Sequence, residues 1–94
     1  MTEFNTFGLV LLKGHADKLS ALNEAVKDVS AKHAKQGLKP EVLFGLACAG
    51  YFDCILLINS NTIEEIGKFV IEDLRKDYPD MIADTQTFVC WKIN

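Results

Sequence analysis

The sequence lacks the features that would place the protein in a membrane, on nucleic acid or outside the cell. No apolar run approaches the roughly 18 residues that a membrane-spanning helix needs. No cluster of Lys or Arg is present, and the net charge of −3 argues against direct contact with a nucleic-acid backbone. The first residues lack the basic-then-apolar order of a secretory signal peptide. We therefore expect a cytoplasmic protein with no membrane partner and no direct nucleic-acid partner.

Motifs for metal, cofactor and covalent chemistry are also absent. The three cysteines, Cys48, Cys54 and Cys90, form no C-x-x-C pair, and their spacing with the two histidines matches no common zinc pattern. In a reducing compartment such cysteines behave as small buried hydrophobes. The sequence has no phosphate loop and no H-E-x-x-H. It therefore predicts no metal, no cofactor and no assigned catalytic residue, and it favours a non-enzyme while leaving catalysis open.

The chain does contain a regular alternation of strand and helix patterns. With 94 residues, of which 49% are hydrophobic and 24% charged, it predicts one packed domain over 1–94. Period-two runs predict strands at 7–13, 42–49, 52–59 and 82–93, and apolar spacings of three and four predict helices at 18–35 and 62–77. This βαββαβ order predicts an α+β, ferredoxin-like domain, with two helices on one face of a four-stranded antiparallel sheet.

Local signals predict the helix ends and the faces of each element. Asp17 is the expected N-cap of the first helix and Gly37 its expected stop. Thr62 with Glu65 fits a capping box at the second helix, with Asn61 as the competing N-cap. Three further expectations concern exposure: His33 in solvent, Ile63 in the buried stripe of the second helix with Ile66, Phe69, Val70 and Leu74, and Val42 on the same sheet face as Phe44 and Leu46. Gly45 is a candidate bulge or close approach.

The first three strands are apolar on both faces. Adjacent apolar pairs such as Leu9 with Val10 and Leu56 with Leu57 place large side chains on each side of the sheet. Two helices cover one side only, and the six residues before the first strand are too few to cover the other. Stacking of two copies, sheet on sheet, is the simplest way to bury that surface. The sequence therefore predicts a homodimer.

Two segments carry a resemblance to a known family. Residues 49–57, Ala-Gly-Tyr-Phe-Asp-Cys-Ile-Leu-Leu, resemble the Gly-x-Tyr/Phe-Asp hairpin of the effector-binding domain in the Lrp/AsnC transcriptional regulators. Residues 82–89, with Thr85 and Thr87, are similar to that family's closing strand. The resemblance covers about 42–93, and it departs where Ala49 replaces the usual Thr and where Tyr51 replaces a residue that is often polar.

The resemblance implies a stand-alone effector-binding domain without a DNA-binding domain. It implies a dimeric α/β barrel, with larger oligomers, that binds small effectors, commonly amino acids, between subunits. The expected ligand-binding residues are Ala49, Gly50, Tyr51, Phe52, Asp53 and Thr85. From the residues alone, Asp53 suits either a ligand ammonium or a backbone N–H of the hairpin, and Gly50 suits a turn with positive φ.

The leading hypothesis is a small-molecule sensing or accessory module whose assembly state is read by a partner, such as a DNA-binding homologue. The alternative is a small dimeric α/β barrel enzyme, monooxygenase-like, acting in a cavity between sheet and helices. In that case His15 is the histidine best placed by the sequence to act as a general base. A purely structural oligomer is the third possibility. The fold alone does not choose among them.

Overall fold

The computed structural model describes residues 6–93 as a four-stranded sheet with two helices on one face. The strands are β1 (Thr6–Gly14), β2 (Glu41–Ala47), β3 (Cys54–Ser60) and β4 (Ile82–Cys90). The helices are α1 (Leu19–Gln36) and α2 (Ile63–Lys68), and α2 continues as a π-helical segment, Phe69–Lys76. The sheet order is β2-β3-β1-β4, and every neighbouring pair is antiparallel. The α+β, ferredoxin-like prediction is confirmed.

The hydrophobic core lies between the helices and the sheet. Alternate residues of the two central strands are fully buried, including Val10, Leu12, Leu56 and Ile58, and they pack under Phe69. Gly8 lets α2 pack close to the sheet, because an added Cβ would lie 3.1 Å from a side-chain carbon of Ile66 in α2 and 2.9 Å from one of Ile58 in β3. No helix within 6–93 is long and apolar enough to cross a membrane.

The predicted cap of the first helix is wrong, and its predicted stop is right. A 3₁₀ turn, Ala16–Lys18, precedes α1, so Lys18 and not Asp17 occupies the N-cap position, without a side-chain cap. The turn is closed by the Lys18 amide, which donates to the His15 carbonyl over 2.8 Å. Gly37 ends α1 with φ of +62°, a conformation that favours glycine.

The predicted cap of the second helix is confirmed. The Thr62 hydroxyl accepts a hydrogen bond from the Glu65 amide over 3.1 Å. In a standard capping box the Glu65 carboxylate would accept from the backbone amide of the N-cap residue, Thr62. Here it accepts from the backbone amide of the preceding residue, Asn61, over 2.9 Å and from the Ser60 hydroxyl. Glu65 therefore fastens the end of β3 to the start of α2.

Acid should weaken these hydrogen bonds to the Glu65 carboxylate. The Ser60 hydroxyl, followed by the Asn61 amide, lowers the pKa of Glu65 from its ordinary value of 4.5. A carboxylate whose pKa is lower in the folded state than in the unfolded state stabilises the fold fully at pH values above its unfolded-state pKa. This stabilisation is lost as the pH falls through its folded-state pKa. In Glu65→Gln, the loss of unfolding free energy relative to wild type should therefore be constant above pH 4.5 and shrink below it.

Urea unfolding at a series of pH values measures this difference. Glu64→Gln is the matched control, because Glu64 lies in the same first turn of α2 and is exposed. A wild-type-to-Glu65→Gln difference that stays constant through the acid range would show that the carboxylate charge does not stabilise the cap.

His33 is buried, so its predicted exposure is wrong. The residue is 4% exposed, Nδ1 lies 2.8 Å from the Pro40 carbonyl oxygen, and Nε2 lies 3.3 Å from a carboxylate oxygen of Asp73. The ring also packs edge-on against Phe69, with the ring centres 5.1 Å apart. Four of the five buried positions of α1, 22, 26, 29 and 33, recur at spacings of four, three and four, and the fifth is Ala25. The apolar stripe therefore continues through a polar residue that has buried partners.

Two further face predictions are wrong. Ile63 is 52% exposed, because it is the first residue of α2 and helical side chains lean toward the N-terminus, past the end of the buried stripe. Val42 pairs with Ile58 and packs on the core, whereas Phe44 pairs with Leu57 on the opposite face. A bulge between Val42 and Phe44 moves the rest of β2 to the other register.

The second face of the sheet is apolar and uncovered by residues 6–93. Cross-strand partners share a face, so the register places eight large apolar side chains there: Phe7, Leu9, Leu11, Phe44, Leu46, Ile55, Leu57 and Phe88. Those on the edge strands are the most exposed, at 55% for Leu46 and 46% for Phe88. We call this surface the open face. The apolar second face expected from the sequence is therefore confirmed.

Candidate functional site

The connection between β2 and β3, residues 48–53, is tied to the end of the central strand β1. The Asp53 amide donates to the Leu12 carbonyl over 2.9 Å, and the Cys48 amide donates to the Asp53 carbonyl over 3.0 Å. Gly50 has φ of +143°, which confirms the predicted turn, and an added Cβ there would meet nothing within 4 Å. Gly50 is thus required by the backbone angle and not by a close neighbour.

The Asp53 carboxylate holds this connection to β1. Its Oδ2 accepts a hydrogen bond from the Gly14 amide over 2.9 Å, in a partly buried position. Its other oxygen accepts no hydrogen bond from residues 6–93 and is available to another donor. The geometry therefore supports the structural use of Asp53 and leaves one oxygen for a ligand ammonium.

Lys13 lies beside the connection, and the sequence reasoning missed it. Its Nζ donates to the Tyr51 carbonyl over 3.1 Å and lies 4.5 Å from the centre of the Tyr51 ring. The Tyr51 and Phe52 rings pack edge-on, 4.9 Å apart, and Tyr51 is largely exposed. The signal for Lys13 was its position: it is the polar residue that ends the open-face row of β1 after Phe7, Leu9 and Leu11. Ammonium, aromatic ring and carboxylate thus occupy one end of the sheet.

Thr85 lies apart from this group within one chain. It pairs with Leu12, which in turn pairs with Cys54, so Thr85 is two strands or about 10 Å from β3. It shares the helix-facing side with Leu12, and its hydroxyl accepts from Arg75 over 3.3 Å. Ala49, Gly50, Tyr51, Phe52 and Asp53 are brought together by the short connection, whereas Thr85 is not.

The cysteines near the site are packing groups. Burial, and then the nearby Cys48 and Asp53, raise the pKa of the Cys54 thiol to about 11, so this thiol stays protonated at neutral pH. The Cys48 thiol donates to the Phe52 carbonyl over 3.2 Å, and all three cysteines are free. Within 6–93 no group of three His, Cys, Asp or Glu side chains is arranged to hold a metal ion.

His15 has no geometry typical of a general base. Its side chain is exposed and makes no hydrogen bond with the part of the chain that the structure describes. Its amide donates to the Met81 carbonyl over 3.0 Å, so its backbone helps to join β1 to the start of β4.

A groove of about 770 Å³ separates α1 from the edge strand β2. Small residues on both walls create it: Ala31 and Ala34 on the helix, and Gly45 and Ala47 on the strand. A Cβ at Gly45 would lie 2.9 Å from Leu56, so this glycine serves close packing, and the bulge lies nearer the start of β2. The sequence did not reveal the groove, because its small residues lie on two separate elements.

Among known proteins, solved structures match this chain. No family model and no curated protein is similar enough to match. The methionine-bound transcriptional regulator NMB0573 of Neisseria meningitidis shares 19% identity, with a TM-score of 0.70, over 97% of this chain and 53% of its own. AsnC of E. coli shares 11%, with a TM-score of 0.69, over 96% of this chain and 53% of its own.

A protein of Nitrosomonas europaea described as an antibiotic biosynthesis monooxygenase matches equally well. It shares 14% identity, with a TM-score of 0.71, over 99% of this chain and 94% of its own. At such identities the comparisons establish the fold, which this chain shares with Lrp/AsnC regulators and with monooxygenase-like proteins. The chain spans about half the length of the two regulators.

Proposed function

We propose that this protein is a small-molecule sensing module that works as a dimer of stacked sheets. In this proposal the domain resembles the effector-binding domain of the Lrp/AsnC regulators. The observation that carries the proposal is the open face, together with the charged and aromatic side chains at its end. The shared fold with two transcriptional regulators, one of them bound to methionine, supports it.

The dimer follows from the cost of leaving the open face in water. Burying a large apolar side chain stabilises by roughly 1.5–3 kcal/mol, and side chains that are already half-buried contribute a part of this. Soluble monomers rarely expose so many apolar groups in one patch. A second copy presents the same surface about a two-fold axis, and two sheets pack face to face at about 10 Å. Self-association is therefore the simplest cover.

The proposed effector site lies at the Gly50–Asp53 end of this dimer. Lys13 supplies a positive charge, and the free oxygen of Asp53 supplies a negative one. The exposed Tyr51 ring lies beside the Lys13 ammonium. Such a pair suits a small molecule that carries both an acidic and a basic group, and amino acids are the first class to test. Ala49 and Phe52 frame the site. Thr85 lies outside this proposed site, because its side chain shares the helix-facing side of the sheet with Leu12 and its hydroxyl accepts from Arg75.

The proposed output is a change of assembly state. An effector that binds the seam between copies shifts the equilibrium between dimers and larger oligomers, and a coupling of about 1–3 kcal/mol is enough for regulation. We expect that a separate protein, such as a DNA-binding homologue, binds one assembly state and responds to the change. We place these events in the cytoplasm, in keeping with three free thiols in the described chain.

A thermal-shift screen against amino acids and small aromatic compounds tests the sensing role. A ligand at 100 times its dissociation constant adds about 2.7 kcal/mol, which for a domain of this size raises Tm by on the order of 10–20 °C. We expect one chemical class to produce such a shift while unrelated compounds of equal charge do not. If no compound in either class raises Tm, the sensing role is wrong.

An enzyme remains the second candidate, because the groove between α1 and β2 offers a cavity and because a monooxygenase-like protein has the same fold. The two roles differ in what happens to the ligand. A sensor returns a stabilising compound unchanged after incubation, whereas an enzyme converts it with turnover. Analysis of the compound after incubation therefore separates them.

A further inference from the structure

Both ring nitrogens of the buried His33 face hydrogen-bond acceptors. Nδ1 lies 2.8 Å from the Pro40 carbonyl oxygen, and Nε2 lies 3.3 Å from a carboxylate oxygen of Asp73. A carbonyl and a carboxylate only accept, so each of these contacts needs an N–H group from the ring. A neutral imidazole has one N–H group, and only the protonated ring has two. The observed geometry is therefore that of a positively charged His33.

The two contacts join three parts of the fold. His33 lies in the last turn of α1, Pro40 comes directly before β2, and Asp73 lies in the π-helical segment that continues α2. Phe69, the first residue of that segment, packs against the ring. Burial of a charge costs free energy, and the ion pair with Asp73 offsets this cost. The proton on His33 therefore connects α1 to the π-helical segment.

The charged groups around the ring are balanced only when the ring is protonated. His33 and Asp73 line a cavity of about 380 Å³, together with groups from α1, α2, the connection to β2 and Tyr78. Among residues 6–93 the cavity has three lysines, Lys32, Lys39 and Lys68. It has four carboxylates, those of Asp28, Glu65, Asp73 and Asp77. A protonated His33 gives four charges of each sign, whereas a neutral ring leaves one negative charge in excess.

Loss of the proton should release Asp73 and retain the contact with Pro40. Pro40 is fully buried, and a buried carbonyl that loses its donor has no water to replace it. The Asp73 side chain is 42% exposed, so its carboxylate can bind water instead. The neutral ring therefore keeps its hydrogen on Nδ1. Its Nε2 lone pair then faces the Asp73 carboxylate, and the two repel each other.

We propose that protonation of His33 is a pH-sensitive switch that holds the π-helical segment against α1. Histidine side chains change their charge between about pH 5 and 8. Because the proton stabilises the closed arrangement, the contact is present at the acidic end of this range and is lost as the pH rises through it. All the groups involved belong to one chain, so the switch does not depend on the proposed dimer.

The released element forms part of the wall of the cavity. Asp73 lies in the π-helical segment, and Asp77 and Tyr78 directly follow it. π-Helical segments are rare and frequently occur at functional sites. Opening of the switch would therefore widen access to the cavity between α1 and this segment.

NMR and amide hydrogen exchange measure the two parts of the switch in the wild-type protein. Between about pH 5 and 8, the ¹⁵N shifts of the His33 ring should pass from the doubly protonated form to the neutral form with hydrogen on Nδ1. His15, the other histidine, is exposed and serves as an internal reference. After correction for intrinsic exchange, the opening of residues 69–76 should rise roughly five- to tenfold over this range, because a charge-assisted contact to a partly exposed carboxylate is lost.

Asp73→Asn tests the ionic contact. The asparagine amide can donate to Nε2 of a neutral ring, so the contact persists without the ring proton. The opening of residues 69–76 should then no longer depend on pH. Asp28→Asn is the matched control, because Asp28 is an exposed carboxylate that lines the same cavity and its replacement changes the net charge equally. This control should keep the pH dependence of the wild type.

Three results would overturn the switch. The first is equal opening of residues 69–76 at both ends of the pH range in the wild type, even if His33 titrates. The second is a neutral His33 ring with its hydrogen on Nε2, since that form retains Asp73 and releases Pro40. The third is an equal loss of pH dependence in Asp28→Asn and Asp73→Asn, which would assign the effect to overall charge. If Asp73→Asn does not fold, Asp73→Ala takes its place, because it removes the partner of both ring forms and should also abolish the pH dependence.

Discussion

The pair of substitutions Phe88→Glu and Leu46→Glu should separate the dimer into folded monomers. Both side chains belong to the open face and lie on edge strands, where about half of each is exposed in a single chain. Glutamate is therefore tolerated by the isolated fold, whereas a two-fold axis places four carboxylates in the apolar seam. Because anchor residues each contribute about 2 kcal/mol or more, the dissociation constant should rise roughly a thousandfold or more.

Light scattering and circular dichroism together measure this result. Ile71→Glu is the matched control, because Ile71 is 62% exposed in the helical layer, away from the open face. The control should keep the mass of the wild type, and the double variant should have the mass of a single chain without loss of secondary structure. A double variant with the mass of the wild type would show that the open face is not the interface.

Asp53→Ala should destabilise the protein, and Asp53→Asn should do so far less. Alanine removes the acceptor of the Gly14 amide, and a hydrogen bond to a charged group contributes about 1.5–3 kcal/mol. The corresponding loss of Tm is on the order of 6–20 °C for a domain of this size. The asparagine side chain keeps an oxygen in the same place, so it preserves the attachment of the connection to β1 while it removes the charge.

The two variants separate the architecture from ligand binding. A ligand found by the thermal-shift screen should stabilise Asp53→Asn much less than wild type, because the partner of its ammonium is neutral. Asp84→Ala is the control, since Asp84 is exposed and, among residues 6–93, its carboxylate accepts only from the adjacent Thr85 amide. If the Tm of Asp53→Ala equals that of the wild type, the Asp53 carboxylate does not stabilise the fold. Equal ligand stabilisation of Asp53→Asn and wild type would remove the proposed ionic contact.

Periodicity was sufficient to predict the architecture. Alternation in β1 and β3 and the three-and-four spacing in both helices report directly on which side chains are buried, so element order and core followed. The same reasoning predicted the open face, because Leu9 and Leu57 break the apolar-polar alternation of a sheet with one wet side.

The errors arose where three-dimensional context decides the outcome. The bulge after Val42 reverses the facing of β2, and nothing in the alternation of that strand marks it. The place of His33 near the C-terminal end of a helix favours a solvated imidazole, but the position continues the buried row of α1 and the fold supplies Pro40 and Asp73 as partners. Lys13 meets Tyr51 only after the sheet has formed, because the two lie 38 residues apart in the sequence.

The mass of the wild-type protein in solution tests the central claim most directly. Sedimentation equilibrium at micromolar concentration should give twice the chain mass of 10.5 kDa, or an even multiple of it. A stable species of 10.5 kDa at that concentration would show that the open face tolerates water. It would remove the dimer, and with it the intersubunit effector site.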